Sequence, residues 1–223
     1  MAPPPETVIQ LPLAFDLVAT FVSGVAGALV AARRGYDFIG VFALAFVTGL
    51  GGAIIRDGIF LNGGPPAAVR DSRYVCAVLA ATLLGVAIDH LDAPLSRAMV
   101  LFDAIGLAVY AVVGADRALA ANIGHMGAIL VGVTNAVGGG VLRDVLTREE
   151  PLLFKPGQLY AMAAAIAATA YVAWREGAGF DGQTAAAVAA GIGLAARLLA
   201  VRYDWKTRPL YWRSWHDHGG SVG

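Results

Sequence analysis

Cysteine, charge and basic excess are all scarce in this chain. Its 223 residues include a single cysteine, Cys76, which excludes an internal disulfide. Cys76 sits in an apolar run, where packing is its expected role. No Cys/His cluster suggests a zinc site, and His216-x-His218 is too short and isolated to make one. Charged residues are only 14%, against about 25% in an ordinary soluble domain. Lys+Arg and Asp+Glu are both 16, so the formal net charge is zero and no basic excess points to nucleic acid. Gly-x-Ser-x-Gly, His-Glu-x-x-His and phosphate-loop patterns are absent, so no catalytic residues, metal ligands or cofactor are expected. The first ten residues hold Pro3-Pro4-Pro5 and neither Lys nor Arg. They lack the basic start of a signal peptide, and the first apolar run is expected to be a retained helix.

Apolar residues take the place of what is missing. They make up 58% of the chain, with a mean hydropathy of +0.67. A compact soluble protein this small lacks the interior volume to hide that much apolar surface, whereas a bilayer accommodates it. Disordered chains are polar and charged, so disorder is excluded as well. Seven apolar runs of spanning length lie near 11–32, 37–60, 73–90, 97–115, 123–146, 157–175 and 182–203, and a six-span reading demotes one marginal run. With seven spans, one side carries five Lys/Arg and the other eleven. The richer side is expected to be cytoplasmic, which puts the N-terminus outside and the C-terminus inside the cell membrane. Trp205, Trp212, Trp215, Tyr203 and Tyr211 then suit the inner headgroup level. His125 opens the fifth span and, like His216 and His218, is read as solvated or interfacial.

Sliding the chain by 87 residues brings out an internal repeat. Asp16 falls on Asp103, Gly27 on Gly114, Gly40 on Gly127, Gly51-Gly52 on Gly138-Gly139, and Arg56-Asp57 on Arg143-Asp144. From 16 to 57 there is no gap, and 11 of 42 positions are identical. Three spans per copy is an odd number, so the second copy enters the membrane inverted. The fold class expected is an all-α integral membrane protein with seven transmembrane helices, arranged as two inverted three-helix repeats plus a seventh helix. Its parts are an N-terminal tail at 1–10, repeats at 11–91 and 97–176, the seventh helix at 182–203 and a tail at 204–223.

The repeat also selects the residues with chemistry to offer. Gly51-Gly52 and Gly138-Gly139-Gly140 lie within the second and fifth spans. Adjacent glycines either break a helix beside a pathway or let two helices pack closely. Arg56-Asp57 and Arg143-Asp144 follow them; ionisable groups near hydrocarbon are costly and face a cavity or each other. They form structural ion pairs, or carboxylates that attract cations. Thr48, Thr134 and Asn135 precede the glycines and offer neutral oxygens to an ion. Asp16 and Asp103 are the other repeat-matched acids.

These features resemble the prokaryotic branch of the trimeric intracellular cation channels. The resemblance covers residues 11 to about 203, and rests on the 3+3+1 layout and on Gly51-Gly52-x-x-x-Arg56-Asp57 with Gly138-Gly139-Gly140-x-x-Arg143-Asp144. It implies a homotrimer in membrane lipid, with one pore per subunit passing monovalent cations, chiefly potassium. It also implies kinks at the glycines of the second and fifth spans, which would line the pore. The Lys-Glu-Val motif of animal members is absent around Gly51-Gly52, so phosphoinositide binding is not carried over. Related bacterial sequences have been labelled glycine transporters, so a secondary transporter for a small solute such as glycine stands as the alternative, with Arg56 and Arg143 available for a substrate carboxylate. A scaffolding or lipid-binding role follows only if the glycines are packing residues.

Overall fold

The computed structural model describes residues 11–61, 64–89, 95–155, 159–177 and 181–205. The two tails, with His216, His218, Tyr211, Trp212 and Trp215, lie outside the described residues. Seven long helices follow the seven apolar runs: α1 (Leu13–Arg33), α2 (Phe38–Ile55), α3 (Ser72–Asp89), α4 (Leu95–Ala120), α5 (His125–Leu146), α6 (Tyr160–Gly177) and α7 (Gly182–Arg202). A single helical turn, Ala67–Arg70, precedes α3, and no strand occurs among the described residues. At 1.5 Å per residue, α1 is about 31 Å long, close to the hydrocarbon thickness of about 30 Å. Among the described residues, six of the helices are long and apolar enough to cross a membrane, and α6 is not one of them. Its last turn holds Trp174, Arg175 and Glu176, which lower its hydropathy below that of the others.

The helices meet as two trios. α1 packs on α2 and α3, and α4 packs on α5 and α6; α1 lies against α4, α2 against α5, and α7 against α4 and α6. The ends of α1 and α4 are built alike. Gly35 and Asn122, 87 residues apart, both adopt left-handed backbone, with φ of 70° and 60°. The next residues close the helices through Tyr36 N–H to the Ala31 carbonyl and Ile123 N–H to the Ala118 carbonyl. Glycine and asparagine are the residue types that tolerate that conformation best, which is why the equivalence escapes an identity count. At its start, α2 is capped by the Asp37 carboxylate accepting from Gly40 N–H at 2.8 Å.

Two expectations change here. α-Helical structure continues through Gly51-Gly52 and through Gly138–Gly140, so neither helix is broken or unwound at its glycines. Close approach of a neighbouring helix accounts for them instead. The departure from α geometry comes later, where Arg56–Leu61 extends α2 as a π-helix. Cys76 is exposed on α3 rather than packed in the core, because α3 turns much of its surface outward.

Candidate functional site

The first buried ionic cluster forms where α2 passes into its π-helical end. Arg56 is 1% exposed, and its guanidinium spans two carboxylates. Nε donates to Asp57 at 2.7 Å, while Nη1 and Nη2 lie 3.5 and 3.3 Å from the two oxygens of Asp16. Asp16, also 1% exposed, accepts from the Tyr74 hydroxyl at 3.0 Å and has Arg117 at 3.6 Å. The second oxygen of Asp57 accepts from Ala67 N–H at 3.0 Å, tying the turn before α3 to the cluster. A charge this deep is tolerable only when paired and hydrogen-bonded.

The second cluster repeats the first at the end of α5. Arg143 donates from Nε to Asp144 and from Nη1 to Asp103, both at 2.9 Å. The Tyr160 hydroxyl lies 3.4 Å from Asp103, and Asp144 accepts from Leu152 N–H at 3.1 Å. Arg197 of α7 stacks over the Tyr160 ring, 4.9 Å from its centroid. Gly140 leaves room for the Tyr160 hydroxyl, which would lie 2.7 Å from a Cβ at that position.

Between the clusters α2 and α5 cross at their glycines. A Cβ on Gly52 would collide with the Asn135 carbonyl oxygen, and one on Gly139 with the Thr48 carbonyl oxygen. Gly51 faces Leu142, and Gly138 faces Ile55. Each of these contacts has its partner 87 residues away. Tyr110 of α4 adds a polar link without such a counterpart: its hydroxyl bonds the Gly49 carbonyl and lies 2.8 Å from Thr20 Oγ1. Its own carbonyl accepts from Asn135 Nδ2 at 2.7 Å. Tyr110 thereby joins α1, α2, α4 and α5.

The predicted residues are thus mostly brought together. Asp16, Arg56 and Asp57 form one cluster, and Asp103, Arg143 and Asp144 the other. Gly51, Gly52, Gly138 and Gly139 make the crossing between them. Thr48 and Asn135 are buried there, although Thr48 Oγ1 is turned back onto the Leu44 carbonyl. Thr134 is not part of the site: it shares a face with the exposed Leu130, whose carbonyl its hydroxyl bonds. Sequence reasoning missed Tyr74, Tyr110, Tyr160, Arg117 and Arg197. Tyr74 and Tyr160 were within reach. They stand 58 and 57 residues after Asp16 and Asp103, so one gap in the repeat aligns them.

Each cluster floors a vestibule. One, of about 640 Å³, touches Leu13 at the start of α1 and Ala120 at the end of α4. The other, of about 320 Å³, touches Arg33 at the end of α1 and Met99 near the start of α4. The two therefore open at opposite ends of the bundle. Arg56 and Asp57 line the first with Arg70, Asp71 and Arg73; Arg143 and Asp144 line the second, where Arg34 pairs with Glu149 at 2.6 Å. At the first rim, hydrogen bonds from the Arg73 guanidinium, and then from its backbone N–H, hold the Asp71 carboxyl below the usual carboxylate range. Among the described residues, no group of three or more His, Cys, Asp or Glu side chains converges in a way that would hold a metal ion.

The family model described as glycine transporter matches the chain twice, at residues 13–90 and 100–176. A UPF0126 membrane protein of Deinococcus radiodurans is 37% identical over 156 residues, 70% of this chain and 72% of its own. The UPF0126 inner membrane protein YadS of Escherichia coli K12 is 34% identical over 196 residues, 86% of this chain and 92% of its own. Among solved structures, a trimeric intracellular cation channel orthologue from Rhodobacter sphaeroides superposes with a TM-score of 0.80 at 33% identity, covering 86% of this chain and 97% of that one. Another TRIC cation channel gives 0.78 at 29% identity, covering 92% and 99%.

Proposed function

The chain belongs to the prokaryotic branch of the trimeric intracellular cation channel family, and we propose that this multi-pass membrane protein is a cation channel. On this reading it passes monovalent cations, chiefly potassium, through a path inside each subunit of a homotrimer. One observation carries the proposal: two vestibules of matched chemistry open at opposite ends of the bundle, each floored by an Arg-Asp pair, Arg56-Asp57 in one and Arg143-Asp144 in the other, with a further Asp bound to each arginine from behind. Carboxylates at both mouths raise the local cation concentration, and the paired guanidiniums keep the ions from binding too tightly to leave. The path runs between α1, α2, α4 and α5, past Thr48, Asn135 and the glycine crossing, and the crossing with Tyr110 is its closed point.

The same reading takes α1–α3 and α4–α6 as two inverted copies of one unit, over residues 11–91 and 97–176, with α7 added. The double family match and the contacts repeated at 87 residues support it. An odd number of helices per copy requires α6 to cross as well, giving seven spans. The Lys/Arg asymmetry puts the N-terminus outside and the C-terminus in the cytoplasm.

A carrier for glycine is the second reading, favoured by the family description and by carboxylates beside guanidiniums, which suit a zwitterion. Purified protein in planar bilayers and proteoliposomes separates the two. Single-channel potassium currents far above carrier turnover are expected, with no saturable glycine uptake. Saturable uptake without unitary currents overturns the channel.

A further inference from the structure

One cavity lies apart from the path between the vestibules. It is a groove of about 610 Å³ on the outside of the bundle, between the start of α4 and the end of α7. Val100 and Leu101 form one wall, and Leu198, Leu199 and Val201 the other. Arg97 and Arg202 complete the lining. Since α4 begins where α7 ends, the two guanidiniums stand at the same end of the groove, at the edge of the apolar span. Both are exposed, and neither pairs with a carboxylate among the described residues. Leu101 and Leu199 are each 43% exposed, so large apolar side chains are left open directly beside two unneutralised cations.

An apolar slot ending in two guanidiniums matches an amphiphile with an anionic head. Arginine forks bind phosphate oxygens in pairs, their aliphatic stems reach from the hydrocarbon edge to headgroup level, and basic pockets between membrane helices are a known form of headgroup site. A free anion would satisfy the arginines and leave the leucine walls bare. A second copy of the chain would cover the walls but would have to bring its own anion. We propose that this groove binds an anionic phospholipid, with an acyl chain along Leu101, Leu198 and Leu199 and its phosphate between Arg97 and Arg202. The proposal does not depend on whether the protein is a channel or a carrier.

Native mass spectrometry of the full-length protein in mild detergent tests it, with phosphatidylglycerol and phosphatidylcholine of identical chains titrated separately. The wild type is expected to prefer phosphatidylglycerol. Arg97→Gln and Arg202→Gln should each weaken its binding by about fivefold, and the double variant by about thirtyfold, with phosphatidylcholine binding weakened less and thermal unfolding unchanged as the check on folding. Arg148→Gln removes an exposed charge outside the groove at the same end and should have no effect. Leu199→Trp, which fills the slot and keeps both charges, should also reduce binding. Equal affinity for the two lipids in the wild type overturns the proposal. So does a loss in Arg148→Gln as large as in Arg97→Gln, which means diffuse surface charge. Displacement of the lipid by inorganic phosphate, with Leu199→Trp silent, overturns it in favour of a plain anion site. A change in subunit number in the double variant without a change in lipid preference overturns it in favour of a contact between copies.

Discussion

Asp16 and Asp103 occupy equivalent places in α1 and α4, yet the protein holds them differently. Each faces an arginine 40 residues ahead and a tyrosine hydroxyl. Asp16 is sealed from solvent and draws a second guanidinium, Arg117, from the other trio. The Asp103 side chain is 10% exposed, and its neighbour Arg197 stacks on a tyrosine ring. The polar link through Tyr110 belongs to the Asp16 side alone, since residues 87 away from Thr20 and Tyr110 are Leu107 and Ser23. What the halves share is the framework that ties a helix end and its following loop to the bundle. What they do not share lies toward the middle and at the mouths, where a path through the subunit would be shaped.

The largest expected effect tests that difference directly. Asp16→Asn leaves the buried Arg56 guanidinium with Asp57 in place of two carboxylates and should cost about 3 kcal/mol, more than Asp103→Asn, where water reaches the site. Thermal unfolding in detergent measures both, and equal losses would mean that burial does not distinguish the clusters. Next come the glycines. Gly52→Ala and Gly139→Ala each drive a methyl group into a backbone carbonyl, and should destabilise by about 1–3 kcal/mol. Their costs should match, whereas Gly191→Ala, with open space around it, should be neutral or mildly stabilising. Unequal losses at Gly52 and Gly139 would break the equivalence of the two crossing points.

Tyr110→Phe removes the hydroxyl that links α1, α2 and α4, with a stability loss of about 1–2 kcal/mol. In bilayers it should raise open probability, while Ser23→Ala leaves it unchanged. Similar recordings from both variants would show that the asymmetric link has no bearing on conduction. The smallest effect concerns pH. The Asp71 carboxyl is held below its ordinary range by Arg73. Its contribution is therefore present above the ordinary carboxylate pKa and fades as pH falls through the lower folded value. Asp71→Asn should slightly flatten the acid side of the stability profile; an unchanged profile would assign the pairing no stabilising role.

The helices were legible because a spanning segment must be apolar for its whole length, whatever surrounds it. That requirement locates α1 through α7 to within a few residues, apart from α4, which extends five residues further than its apolar run. The acids and arginines were legible for the converse reason, since a charge in such a segment needs a partner. The role of the glycines was not. A glycine pair that unwinds a helix and one that admits a neighbouring carbonyl are identical in one dimension, and only the facing residues, Asn135 and Thr48, show the close approach. The tyrosines were hidden among apolar residues of the same runs. Thr134 was misplaced because a helix turns about 100° per residue, so it and Asn135 face different surroundings despite being neighbours. The π-helical end of α2 carries no simple composition signal.

Thr48 of one half meets Gly139 of the other, and Asn135 meets Gly52 in return. Such reciprocity is the mark of a self-complementary interface between two copies of one protein. On the inverted-repeat reading proposed above, both copies sit on a single chain. In a dimer of separate subunits every mutation arrives twice, once on each side of the axis. Fusion removes that constraint, so each half can accept a change that its twin does not. The reciprocal crossing is the ground that neither half can leave alone, and the Thr20–Tyr110 link is a place where the two halves differ.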